Sequence, residues 1–164
     1  MTMRNLIRLI CLVVAVVTIC SVALALATDE TRIRCWVLCQ PDDYVNIRDK
    51  ASTIGHKIGR AEVGDSFMTD GKVKDGFLHV YCSLEESEGW IYLGYIVFDE
   101  PEQIGELWVV ESNGRVACRK CVDGARRCWV IDGSTLTVRY IAGEWAITDK
   151  GFIKTEFIRK GETN

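Results

Sequence analysis

The residues best equipped for chemistry in this 164-residue chain are eight cysteines and two histidines. Cys118-Arg119-Lys120-Cys121 forms a C-x-x-C motif, and Cys128 follows at the far end of Val122-Asp123-Gly124-Ala125-Arg126-Arg127. Zinc would need a fourth ligand. A thioredoxin-like redox pair belongs at a helix N-terminus after a strand, whereas this run reads as a strand entering a glycine turn. The remaining reading, a structural disulfide, is the expected one. A hairpin folded over Val122 to Arg127 predicts Cys121 opposite Cys128, at the ~5.5–6 Å Cα separation a disulfide takes. Cys118 would then point inward as a small apolar residue. Cys35 and Cys39 on one extended strand, at ~3.3 Å per residue, are too far apart to bond each other. One of them is expected to pair with Cys82. Cysteine catalysis needs an imidazole against the thiol. His79 lies three residues before Cys82 on one strand and so faces the opposite way. His56 falls in a turn. Asp42-Asp43 and Glu85-Glu86 fall in loops and read as solvated charge. No enzyme, metal or cofactor is expected.

The compartment explains the cysteine count. Arg4 and Arg8 precede an uncharged run from Leu9 to Ala27, which ends in Ala25-Leu26-Ala27, the small-x-small pattern of a signal-peptidase site. Residues 1–27 therefore read as a signal peptide, or as an uncleaved membrane-anchor helix, since the run is long enough to span a bilayer. Cleavage removes Cys11 and Cys20 and leaves six cysteines, an even number in an exported chain. Residues 28–100 carry fourteen acidic and eight basic side chains, and residues 101–164 nine and ten, which argues against a nucleic-acid module.

The rest of the chain has no long helical period. Short runs rich in Val, Ile, Tyr and Trp predict strands at Ile33–Leu38, Val45–Arg48, Ser66–Thr69, Leu78–Tyr81 and Trp90–Tyr92. A second set follows at Leu107–Val110, Val116–Arg119, Thr135–Ile141, Trp145–Ile147 and Phe152–Lys154. Gly64-Asp65, Asp70-Gly71, Asp75-Gly76, Asn113-Gly114, Asp123-Gly124 and Asp132-Gly133 punctuate them as turns. The class is all-β. The halves also repeat. Val45-Asn46-Ile47-Arg48, Gly64-Asp65, Gly89-Trp90-Ile91 and Tyr95-Ile96 recur in order as Val116-Ala117-Cys118-Arg119, Gly133-Ser134, Gly151-Phe152-Ile153 and Phe157-Ile158. The predicted boundary is acidic Asp99-Glu100-Pro101-Glu102.

This ordered set resembles the bacterial SH3 family (SH3b, SH3 type 3). The first copy matches the run V-N-[IV]-R, I-G, G-D, G-[WF], G-W-[IV], x-Y-[LI] with Val45 to Arg48, Ile58-Gly59, Gly64-Asp65, Gly76-Phe77, Gly89-Trp90-Ile91 and Tyr95-Ile96. The second copy diverges, with Cys118 at an aliphatic core position and Arg127-Cys128 at the I-G pair. The resemblance implies two tandem small SH3-like barrels, at 31–99 and 103–160. It also implies an extracellular or cell-envelope, non-catalytic binding protein that recognises peptidoglycan or its peptides. The alternative is an extracytoplasmic protein–protein adaptor without wall affinity.

Aromatics left on one face would supply the groove for such a ligand. The candidates are Tyr44, Trp90, Tyr92 and Trp145. Arg115, Arg119, Lys120, Arg126 and Arg127 give the second half a basic cluster, able to meet the acidic first half or an anionic wall polymer.

Overall fold

Val45 and Ile47 are buried while Asn46 and Arg48 are only half-buried, the period-two pattern that makes Val45–Arg48 a strand with one apolar face. The same rule builds the whole molecule, an all-β structure seen here in a computed structural model that describes residues 32–40, 43–82 and 87–161. The expected signal or anchor segment at 1–27, Asp42 and the Glu85-Glu86 pair lie outside the described residues.

The strands of the first half are β1 (Ile33–Val37), β2 (Val45–Arg48), β3 (Lys57–Ala61), β4 (Ser66–Thr69), β5 (Val73–Lys74), β6 (Phe77–Cys82), β7 (Ser87–Tyr92) and β8 (Ile96–Val97). A 3-10 turn at Leu93–Tyr95 joins the last two. The second half holds β9 (Glu102–Val110), β10 (Arg115–Arg119), β11 (Arg126–Ile131), β12 (Thr135–Ala142), β13 (Trp145–Thr148), β14 (Gly151–Lys154) and β15 (Ile158–Lys160). Here too a 3-10 turn, Thr155–Phe157, precedes the final strand.

Each half is its own sheet. The first runs β3-β2-β7-β6-β4-β1-β8, with β5 attached to β6. The second runs β11-β10-β14-β13-β12-β9-β15. Element by element the two orders are the same, so the sequence repeat is also a repeat of topology. Among the described residues both hydrogen-bonded paths are open rather than closed on themselves.

The matched motif residues do equivalent work in the two halves. Arg48 Nη1 donates to the Gly55 carbonyl at 2.7 Å, and Arg119 Nη1 donates to the Gly124 carbonyl at 2.8 Å. Each arginine thereby holds the loop that follows its own strand. Arg48 is paired in register with Trp90, and Arg119 with Phe152. Gly89, beside Trp90, faces Ile47 so closely that an added Cβ would fall inside its side chain, so glycine is required there.

Three apolar clusters hold the fold. One lies inside the first sheet, around Val37, Leu78, Val80 and Ile91. Another lies inside the second, around Val110, Leu136, Val138 and Ile153. The third joins the halves, setting Leu38 and Val97 against Ala142, Trp145, Ile147 and Phe152. The amide of Val122 donates to the Gly94 carbonyl at 2.8 Å across the same junction. Residues 33–164 accordingly form one compact unit.

The cysteines correct two expectations. All six that are described are free thiols. The hairpin of β10 and β11 turns at residues 120–125, before Cys121 can enter a strand, and its register sets Cys118, not Cys121, opposite Cys128. Val116 and Val130 are the buried pair that fixes this register, and it brings Cys118 and Cys128 to the same face. Cys121 instead sits in the turn with its sulfur against Gly94 and Gly124, filling space that a Cβ at either glycine would take. In the first half Cys35 pairs in register with Phe67 of β4, and β4 also pairs with β6, which carries Cys82. A whole strand therefore separates Cys35 from Cys82, at two strand spacings or ~9.5 Å, beyond disulfide reach. Cys35 and Cys39 are buried, and desolvation pushes each thiol up to about 11.

Candidate functional site

Of the four predicted groove aromatics, the structure brings two together. Tyr92, at the end of β7, and Trp145, at the start of β13, both line a cleft of about 510 Å³ between the halves. Leu93, Ile96, Val97, Phe98, Val122 and Ala142 add apolar lining, and Asp99, Asp123 and Glu144 are the acidic residues along it. Tyr92 and Phe98 are about half exposed, at 43% and 53%, and Trp145 is buried at 3%, so the aromatic surface on offer is mainly that of the first two.

Glycines make the close approaches that shape this cleft. Gly76 has φ +78°, and an added Cβ would sit 3.5 Å from the Tyr92 ring. At Gly94 a Cβ would come within 2.7 Å of the same ring and 2.9 Å of the Cys121 sulfur. A side chain there would push the 3-10 turn off the second half. Tyr92 is further braced by edge-on contacts to Phe77 at 5.6 Å and Tyr95 at 6.1 Å.

The charges of the cleft are uneven. Lys154 Nζ lies 2.9 Å from Glu144 and 5.6 Å from the Trp145 ring centre, so Glu144 is neutralised where it stands. The hydrogen bond that the Lys154 ammonium donates to Glu144 holds its pKa above the ordinary range. Neither Asp99 nor Asp123 is in an ion pair among the described residues. Asp99 packs its carboxylate over Gly143, whose φ of +53° and missing Cβ let the inter-sheet segment lie against the β12–β13 turn. The cleft therefore presents apolar and aromatic surface beside the Asp99 and Asp123 carboxylates, with the Lys154 ammonium at its Glu144 end.

The other two candidates lie elsewhere. Tyr44 is exposed at 41% and carries Arg60 over its ring at 4.2 Å, outside the cleft. Trp90 is half-buried on the outer face of the first sheet, with its ring centre 4.9 Å from that of His79. That face holds a polar cluster that sequence reasoning missed. His79 Nδ1 lies 3.2 Å from Asp70 Oδ2, and its Nε2 lies 3.5 Å from Glu88. Tyr81 donates its hydroxyl to Asp70 at 3.1 Å, and Lys72 Nζ lies 2.6 Å from the same carboxylate. Burial alone would raise the Asp70 pKa. The hydrogen bonds from the Lys72 side chain and amide, Tyr81 and His79 outweigh it and hold the carboxyl well below its usual range. Cys82 packs toward the inner core instead, so this imidazole has carboxylates on both nitrogens and no thiol beside it. Phe98, Asp99 and Val122 also went unforeseen as cleft residues, because nothing local marks three non-repeat positions that only the docking of two sheets brings together.

No protein-family description matches the chain, and no curated protein matches it in sequence. Among solved structures, weak matches include NlpC1 and NlpC2 from Trichomonas vaginalis. NlpC1 is 12% identical with a TM-score of 0.36 over 82% of this chain and 48% of its own. NlpC2 is 11% identical with a TM-score of 0.36 over 82% and 50%. The chain thus spans about half the length of those proteins.

Proposed function

We propose that this is an exported, non-catalytic binding protein of two tandem SH3b-like barrels that takes peptidoglycan stem peptides in the cleft between its halves. The observation that carries the reading is the cleft itself: an apolar channel lined by Tyr92 and Phe98, with two carboxylates, Asp99 and Asp123, that form no ion pair among the described residues. A peptide backbone lies well on aromatic faces, and a free side-chain amine is the group that two unpaired carboxylates attract. The diamino acid of a wall stem peptide carries such an amine. The ordered motif set at Val45–Arg48, Gly89-Trp90-Ile91 and Tyr95-Ile96 supports the family, and the signal-like residues 1–27 support the location. Sedimentation with purified wall sacculi stripped of their phosphate-bearing polymers tests it. The protein should co-sediment at low salt, and Tyr92→Ala should lose binding while keeping its fold. Retention of binding by Tyr92→Ala would remove the cleft from this reading, and absence of wall binding by the wild type together with capture of a single protein would replace it with that of an extracytoplasmic adaptor.

A further inference from the structure

The outer face of the β10–β11 hairpin is unlike the rest of the surface. Register places Arg115 opposite Ile131 and Ala117 opposite Trp129, so these side chains share one face, while Val116, Cys118 and Val130 fill the other. Trp129 is 43% exposed, yet its ring is already occupied: Arg115 and Arg126 hold their guanidinium carbons 4.3 and 4.5 Å from its centre. Two like charges are thereby kept over one indole. Arg127 and Lys120 add exposed charge at the turn end. None of Arg115, Lys120, Arg126 and Arg127 is in an ion pair among the described residues. Of the neighbouring acids, Glu111 pairs with Arg159, Asp132 accepts from the Ser112 amide, and Asp123 lines the cleft. Arg119, which the sequence groups with these cations, instead holds the Gly124 carbonyl.

We infer that this face binds a linear phosphodiester-linked wall polymer, of the polyol phosphate type. The cations are strung along the strands from Arg115 to the turn, a distance of ~13 Å at strand spacing, rather than converging on one point. That arrangement suits a chain of spaced phosphates better than a single small anion. The guanidinium faces rest on the indole, and their N–H edges stay available for phosphate oxygens. A nucleic acid is the poorer fit. The exposed Trp129 ring on the face is covered by arginine, leaving no platform for base stacking. Because β11 is the edge of its sheet, a long polymer can pass without meeting another strand.

The test is calorimetric titration of the full chain with purified poly(glycerol phosphate) at several salt concentrations, against neutral dextran and single-stranded DNA. Wild-type protein should bind the polymer, and more weakly as salt rises. Arg115→Gln/Arg126→Gln should weaken binding by about tenfold or more and lower the salt slope by roughly 1.4, the value for two lost contacts on a single-stranded polyanion. Lys120→Gln/Arg127→Gln, exposed changes that leave the Trp129 stack intact, should act in the same direction and give a second reading should the first variant fold poorly. Lys150→Gln, whose ammonium faces Asp149 at 3.4 Å, should change nothing. Tyr92→Ala should retain polymer binding, which separates this face from the cleft. No wild-type binding, unchanged affinity in both double variants, or tighter binding to DNA than to the polymer would overturn the inference.

Discussion

Leu38→Ala should destabilise both halves of the molecule together. Leu38 is fully buried and lies in the cluster that sets residues of the first half against Trp145, Ile147 and Phe152 of the second. Its amide donates to the Tyr95 carbonyl at 2.8 Å, and that bond survives the substitution, so the loss is one of packing alone. Three carbons at ~0.8 kcal/mol each give about 2.4 kcal/mol of lost transfer energy, and the cavity left among rigid neighbours raises the total to roughly 3–4 kcal/mol. Urea unfolding, followed at once by tryptophan fluorescence and far-ultraviolet circular dichroism, measures it. The wild type should unfold in a single coincident transition, and the variant in one transition at lower urea. A loss below ~1 kcal/mol, or two separate transitions of which only one moves, would refute the claim that the third cluster couples the halves.

Oxidised glutathione should close Cys118–Cys128, each disulfide formed reducing one glutathione disulfide to two thiols, and mass mapping of non-reduced peptides should show that pair and not Cys121–Cys128. Before oxidation Cys118 should resist alkylation at pH 8 in the folded protein, since burial first, and the adjacent Cys128 next, push its thiol up to about 12. Asp70→Asn should destabilise at neutral pH and flatten the acid limb of the stability curve. The folded carboxyl titrates below the unfolded one, so its stabilisation is complete above the ordinary carboxylate range and fades as pH falls below about 4. Gly151→Ala should lower stability by roughly 1–3 kcal/mol in thermal unfolding. The residue has φ +131°, and a Cβ there would meet the Arg119 carbonyl at 2.6 Å.

What was legible in the sequence was whatever is written locally. Alternation at Val45–Arg48, and the turn signals Gly64-Asp65 and Asp70-Gly71 on either side of Ser66–Thr69, predict those strands to the residue. Strands with weaker local signals were missed: Lys57–Ala61 carries Gly59 and two basic residues, Val73–Lys74 has only two residues, and the alternation of Arg126–Ile131 is masked by its leading arginines. The repeat was readable because turn glycines and the Gly-aromatic-Ile runs keep their order. The cysteine register was not, because a hairpin's turn length is decided by which residues bury, here Val116 with Val130, and by the shift between Cys118 and Arg119. For the site, aromatic type was visible but exposure was not. Trp90 and Tyr44 spend their faces on His79 and Arg60, while Tyr92 and Trp145 meet only because the halves dock through residues distant in the chain.

If the cleft takes an amine-bearing wall peptide, a soluble fragment of one should bind there. Titration of the protein with the tripeptide L-Ala-γ-D-Glu-L-Lys, followed by tyrosine and tryptophan fluorescence, tests it most directly. Binding should be saturable and should weaken about tenfold when the lysine amine is acetylated or when Asp99 and Asp123 are changed to Asn. Equal affinity for the free and acetylated peptides, or binding that survives Tyr92→Ala, would contradict it.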